Sequence, residues 1–295
     1  MPMITVLFAT FNGAHTLPRM LDQLECLQPP TGGWEVIAVD NGSSDDSLKI
    51  MTERAKRLRM TVLSEPRRGK NVALNTALPL ANGDIIAFTD DDIILSPDWL
   101  VCIERIAAQQ PEYDIFGGPI YPVWEKPAPD WVLRNAPKGF LGWTDFPEGP
   151  IDAIQIWGGN MAVRAVLFRD SKFDEDRHMH SETEFTNRAN RRGHQCWHFH
   201  AAPAGHIIRS YQLELEYFLQ RSYRCGREDR RIWHNSRREL IERAYRLTSA
   251  AYQCAKLRFF GEFDTRFKAA IELSYWQGFW STNRLRWLLG TEKRR

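Results

Sequence analysis

The chain has 295 residues, 43% of them hydrophobic, and a formal net charge of +2, enough apolar material for a large core and unlike a fibrous or disordered composition. Its five cysteines, Cys26, Cys102, Cys196, Cys225 and Cys254, are scattered with no C-x-x-C pair, which speaks against zinc knuckles and redox motifs and for reduced packing residues in a reducing compartment. No apolar run reaches the roughly 18 residues of a membrane span, and Met1-Pro2-Met3-Ile4 lacks the basic start of a secretory signal, so the expectation is a cytoplasmic protein, or one peripheral to the inner face of a membrane.

Met3 to Ala9 is a continuous apolar run, and Trp34 to Val39, Met60 to Leu63 and Asp84 to Phe88 repeat the type, each followed by polar turn residues. Such runs predict strands covered on both faces. Between them, Leu17, Met20, Leu21 and Leu24 have helical spacing, and Val72, Leu74, Ala77 and Leu78 form a looser version. Alternation of strand and helix predicts an α/β fold on a parallel sheet. Open α/β sheets bind ligands beyond the carboxyl ends of their strands, so Thr10, Phe11 and Asn12, Asp40, and Asp90 to Asp92 are expected around one crevice.

From Gly117 to Pro150 the chain is rich in Trp, Gly and Pro, and seven prolines predict a long ordered excursion without regular helix. After Tyr211, Leu213, Tyr217, Leu240, Ala244, Leu247 and Ala251 recur at helical intervals. Residues 211–295 hold 18 Lys+Arg against 10 Asp+Glu, leaving 21 against 27 in residues 1–210, so a +8 tail follows a −6 body. The tail interleaves Arg221, Arg224, Arg227, Arg230 and Arg231 with Tyr217, Phe218, Tyr223 and Trp233. It then brings Trp276, Phe279, Trp280, Trp287, Leu288 and Leu289 beside Arg284, Arg286, Lys293, Arg294 and Arg295. These residues suit either an interfacial helix on an anionic membrane or aromatics packed on the body.

Three adjacent carboxylates repel one another unless a cation or solvent relieves them. Asp90-Asp91-Asp92 follows an apolar strand, and alternation puts Asp90 and Asp92 on one side, so the cluster reads as a Mg²⁺ or Mn²⁺ site shared with phosphates or as a solvated turn. Asp40 suits a base N–H or ribose hydroxyl, or an Asx turn. Phe11 is a face for a base, or core. Trp157-Gly158-Gly159-Asn160 lets a backbone approach a ligand, with Asn160 available to sugar hydroxyls, or is a bulged strand. Glu182 and Glu184 are each a candidate general base or a complement to a helix dipole. His178, His180, His194, His198, His200 and His206 crowd one region, without the spacing of a zinc site. P-loop and dinucleotide-binding glycine patterns are absent.

Taken in order, Phe8-Ala9-Thr10-Phe11-Asn12, Val39-Asp40-Asn41-Gly42-Ser43-Ser44-Asp45, Gly69-Lys70-Asn71-Val72-Ala73-Leu74-Asn75, Ala81-Asn82-Gly83-Asp84 with the strand and acidic triplet after it, and Gly158-Gly159-Asn160-Met161-Ala162-Val163-Arg164 resemble the family 2 glycosyltransferases. The resemblance covers roughly residues 3–225. It implies a GT-A fold over residues 1–210, with a nucleotide-sugar half (1–116) and an acceptor half (117–210), followed by a helical, basic extension (211–295). It further implies inverting transfer from a nucleotide-diphosphate sugar, UDP by default, to a glycan or lipid-linked acceptor, in cell-surface polysaccharide or glycoconjugate synthesis.

By the same resemblance, Thr10, Phe11, Asn12 and Asp40 line the nucleoside site; Lys70 or a tail arginine is a further source of charge near the phosphates. Asp90 or Asp91 contacts ribose or metal-bound water, and Asp92 is the direct ligand of Mn²⁺ or Mg²⁺. His206 completes the metal site, and Trp157, Gly159 and Asn160 serve the acceptor or sugar. Where the family carries Glu-Asp as its base segment this chain has Ser181-Glu182, so the base falls to Glu182, with Glu184 as the alternative. A sugar-1-phosphate nucleotidyltransferase and a non-catalytic carbohydrate-binding protein are the rival classes, and nucleic acid is not an expected partner.

Overall fold

The computed structural model describes residues 1–232, 237–260 and 262–281. The strands are β1 (Ile4–Thr10), β2 (Trp34–Asp40), β3 (Met60–Ser64), β4 (Ile85–Phe88), β5 (Ile93–Leu95), β6 (Ile115–Gly117), β7 (Ile120–Trp124), β8 (Gly149–Ile151), β9 (Met161–Arg164), β10 (Cys196–His198) and β11 (Ala204–Ile208). The helices are α1 (Leu17–Glu25), α2 (Ser47–Leu58), α3 (Lys70–Ala77), α4 (Trp99–Gln109), α5 (Asp130–Asn135), α6 (Ser181–Asn190), α7 (Leu215–Ile232), α8 (Arg237–Phe260) and α9 (Phe263–Trp280). They form two compact units, Met1–Val123 with Gly142–Ile207, and Trp124–Leu141 with the chain from Ile208 onward. The excursion expected over Gly117–Pro150 is therefore divided between the two.

In the first unit an eight-stranded sheet runs β3-β2-β1-β4-β9-β6-β10-β8. Its first four strands are parallel, as the alternating sequence predicts. Beyond β4 the sheet is mixed, because β9 runs antiparallel to both β4 and β6, which corrects the expectation of an all-parallel sheet. Chain order reverses around β1, the place where a crevice opens at the strand ends. Register puts Thr10 beside Asp40 and Leu7 beside Phe88, so the residues after β1, β2 and β4 emerge together.

The apolar runs are continuous because both faces are covered. Ile4, Val6 and Phe8 of β1, with Val36, Ala38, Ile85 and Ala87, pack on α1 and α4. The intervening Leu7, Ile37, Val39, Ile86 and Phe88 pack on α3 and α6 through Ala73, Leu74, Phe185 and Ala189. This alternation is the two-residue period of a strand. Each fully buried large side chain contributes about 1.5–3 kcal/mol, and Phe8→Ala is expected to cost about 3–5 kcal/mol through the cavity it leaves. A second, three-stranded sheet runs β5-β11-β7. Pairing of His206 with Ile93 brings β11 against the segment that follows the acidic triplet.

The second unit holds the predicted helical tail. Ser222 Oγ donates to the Ile271 carbonyl at 2.7 Å and Ser274 Oγ to that of Leu219 at 2.7 Å. Gly226 and Gly278 leave no room for a Cβ against the backbone of Tyr275 and Tyr223, so α7 and α9 meet through small residues. Trp131 of α5 packs edge-on to Phe218 and Phe263. That helix corrects the expectation of a helix-free Pro-rich stretch: Pro129 stands just before it, where its missing N–H costs nothing. Phe218, Trp276 and Phe279 are buried, which takes them away from any membrane face. Trp233, Arg284, Arg286, Trp287, Leu288, Leu289, Lys293, Arg294 and Arg295 lie outside the described residues. No described helix is long and apolar enough to cross a membrane.

Candidate active site

The crevice is built on loops that brace one another. Asn12, in a left-handed conformation (φ 52°) that asparagine tolerates, accepts the Ser44 N–H at 2.8 Å through Oδ1 and donates its own N–H to Ser43 Oγ at 3.0 Å. Its side chain thus ties the β1 end to the β2 loop. Asn41 donates to the Glu65 and Arg67 carbonyls and accepts the Gly69 N–H at 2.8 Å, fixing the approach to α3. Nothing in the sequence singled out Asn41, because a bracing amide and a turn asparagine have the same composition.

Asp40 is 3% exposed. Its Oδ2 accepts the Ser43 N–H at 3.2 Å, whereas its buried Oδ1 has no hydrogen-bond partner. A buried carboxylate oxygen is costly to leave unpaired, and a ligand donor reaching into this crevice would satisfy it. Phe11 is 44% exposed, which removes the core reading, and the Arg68 guanidinium lies 3.2 Å from its ring centroid. Arg68 is a residue that sequence reasoning missed, although Pro66-Arg67-Arg68-Gly69 marks a basic turn before α3.

The acidic triplet leaves the sheet directly after β4, and its three side chains take different partners. Asp91 Oδ2 accepts from Thr10 Oγ1. Asp90 Oδ1 lies 2.6 Å from Lys70 Nζ. Asp92 Oδ2 lies 3.3 Å from His206 Nε2. Gly142, at φ 64°, lies against the far side of the His206 ring, where an added Cβ would come 2.8 Å from Nδ1.

Lys70 also donates to Glu182 Oε1 at 3.0 Å, so one ammonium joins α3, the triplet and α6. Burial opposes its charge, but the attraction of Asp90 and Glu182 outweighs burial and holds Lys70 protonated far above the ordinary lysine range. For Glu182 burial likewise favours the neutral form, yet the Lys70 charge and hydrogen bond leave the carboxyl below its usual value. Asp90 moves the other way: burial raises it, Lys70 opposes, and the charges of Asp92 and Glu182 add to the rise. Glu184, two residues along α6, is held by Arg188 in a two-point pair at 2.9 and 3.0 Å.

Asn160 is fully buried. Its Oδ1 accepts from Trp99 Nε1 at 2.8 Å and its Nδ2 donates to the Pro119 and Ala202 carbonyls at 3.1 and 3.0 Å. That amide is bonded inside the protein through both its oxygen and its nitrogen. Gly159 is buried against Ile93, and Trp157 packs on the sheet core. Of the crowded histidines, His206 meets the triplet through Asp92. His194 pairs with Asp114 at 2.7 Å, and His198 is buried, its imidazole pushed down to about 4 by burial. Among the described residues no three His, Cys, Asp or Glu side chains converge as a metal ligand set.

An α/β sheet with its acids at this switch point defines a GT-A fold. Solved structures of similar architecture include a fragment of TarS from S. aureus in complex with UDP (TM-score 0.58, 15% identity, covering 100% of this chain and 93% of that one). Another is the mannosyltransferase PcManGT from Pyrobaculum calidifontis with GDP-Man and Mn²⁺ (TM-score 0.60, 21% identity, covering 98% and 84%). The family profile described as "Glycosyl transferase family 2" matches residues 5–175, and the chain belongs to that family.

Curated relatives include a beta-monoglucosyldiacylglycerol synthase of Trichormus variabilis, 34% identical over 120 residues, covering 37% of this chain and 26% of that one. An undecaprenyl-phosphate 4-deoxy-4-formamido-L-arabinose transferase of Pectobacterium carotovorum is 29% identical over 118 residues, covering 39% and 36%. The matched region thus spans about a quarter to a third of these relatives.

Proposed function

We propose that the protein catalyses inverting transfer of a sugar from a nucleotide-diphosphate donor, UDP-linked by default, to a hydroxyl of a glycan or lipid-linked acceptor, in cell-surface polysaccharide or glycoconjugate synthesis. Phe11 and Thr10 receive the nucleoside, and the free oxygen of Asp40 accepts from the base or ribose. Glu182 takes the proton of the acceptor hydroxyl as that oxygen bonds to the anomeric carbon. The carbon–oxygen bond to the diphosphate breaks on the opposite face, and its electron pair leaves with the nucleoside diphosphate. Lys70 offers positive charge beside both acids.

The observation that carries this reading is the division of labour on α6. Glu182 points to Lys70 and the triplet, while Glu184 is neutralised by Arg188 on its own helix, which favours Glu182 as the base. Asp92 and His206 fit a hard divalent cation, Mn²⁺ or Mg²⁺, that completes its shell with phosphate oxygens and water. Such an ion, when bound, offsets charge on the leaving diphosphate. A Mn²⁺-supplemented panel of nucleotide sugars tests the proposal, with release of nucleoside diphosphate as the expected outcome. Release of pyrophosphate instead would indicate a nucleotidyltransferase, and tight sugar binding without turnover a carbohydrate-binding protein.

A further inference from the structure

We propose that Gly158 is a positioning residue for the transfer, because its missing side chain is what allows the Glu182 carboxylate to lie beside Lys70. This rests on Glu182 being the base. Gly158 is buried at the turn that leads into β9. A Cβ built there would come within 2.7 Å of Glu182 Cγ and 2.8 Å of its Cδ, with Oε1 closer still. Separations below 3 Å are not sustained between carbon atoms, so something must give.

The walls around this contact decide what gives. The turn cannot retreat easily, because the next-but-one residue, Asn160, is pinned by its bonds to Trp99, Pro119 and Ala202. Helix α6 is fixed by the fully buried Phe185 and by Thr186 Oγ1, which donates to the Ala153 carbonyl at 2.8 Å. The remaining soft element is the Glu182 side chain. Gly158 is not among the residues of positive φ, so alanine there carries no backbone strain and the cost falls on the carboxylate. Moving that carboxylate by about 1 Å breaks its 3.0 Å contact with Lys70, and a misplacement of this size in a reacting group costs on the order of 10²-fold in rate.

The test is G158A alone and combined with E182D, whose side chain is one methylene shorter. G158A is expected to lower kcat by roughly 10- to 100-fold while donor KM and the Kd for nucleoside diphosphate stay within about twofold. E182D alone also slows turnover, yet G158A/E182D should be faster than G158A, since the shorter acid relieves the clash. Unchanged kcat in G158A, or a double variant no faster than G158A, overturns the proposal. If G158A melts early, G158A/E182A decides. Melting restored to that of E182A supports a clash confined to this side chain, whereas a loss that persists without the carboxylate refutes it. Full activity in E182Q would instead remove the underlying assignment of the base, a failure separable from that of Gly158.

Discussion

Lys70 of α3 and Glu182 of α6 stand 112 residues apart in the chain and meet at 3.0 Å. The same ammonium reaches Asp90 at 2.6 Å, so the site holds its cation between an acid that follows β4 and one on helix α6. The two carboxylates hold the proton on Lys70, so the bridge orients Glu182 without protonating it.

The two acids of α6 should separate cleanly. E182Q is expected to lower transfer by about 10²- to 10⁴-fold, the usual weight of a general base, with nucleoside diphosphate binding retained. E184Q should keep transfer near the parent level and lose about 1 kcal/mol or less of stability, as the Arg188 pair is partly exposed. Measuring product formation and melting for both variants checks this, and the reverse pattern would move the base to Glu184.

The pH profile should follow Lys70. Burial favours the protonated form of Glu182, but the Lys70 charge together with hydrogen bonds and the His180 charge depresses its pKa, so it stays ionised, and competent as a base, below the ordinary glutamate range. In K70M the largest influence left is burial, which favours the protonated acid and is opposed by a backbone hydrogen bond and the His180 charge. The acidic limb of kcat against pH is therefore expected to move to higher pH. An unmoved limb in K70M would show that Glu182 is not the titrating base.

Much of the first half of the site was legible in the sequence. Strands β1 to β4 are long enough for an uninterrupted apolar run to stand out; β1 and β2 end in Thr10 and Asp40, and the acidic triplet follows β4. Strands β6, β8 and β10 have three residues each, too few for periodicity to register, so the mixed half of the sheet was invisible. The environment of Asn160 was hidden for a different reason. A buried amide bonded inside the protein through both its oxygen and its nitrogen and an amide open to a sugar are the same residue in a sequence. Only the neighbours, here Trp99 and two carbonyls, tell them apart. The choice between Glu182 and Glu184 likewise depends on contacts with Lys70 and Arg188 that spacing does not reveal.

Asp40 offers a binding test independent of turnover. Its Oδ2 is used within the β2 loop while buried Oδ1 is unpartnered. D40N places an amide in one of those two positions, and a donor facing a donor loses the interaction. The Kd for the nucleoside diphosphate is expected to rise by roughly tenfold or more, the weight of a hydrogen bond to a charged group. Calorimetric titration measures it, and unchanged affinity would take Asp40 out of the nucleoside site.

Asp92 and His206 should fail together but not equally. The carboxylate brings formal charge and hard oxygen, which a divalent cation requires, whereas the imidazole adds one neutral ligand. D92A is therefore expected to abolish Mn²⁺-stimulated release of nucleoside diphosphate. H206A should retain release but need more metal, with the Mn²⁺ concentration for half-maximal rate raised by about 10- to 100-fold. Chelation by EDTA followed by Mn²⁺ titration of the parent and both variants reads this directly. Activity in D92A that still responds to Mn²⁺ at parental concentrations would place the cation elsewhere in the triplet, with Asp90 or Asp91 as its ligand.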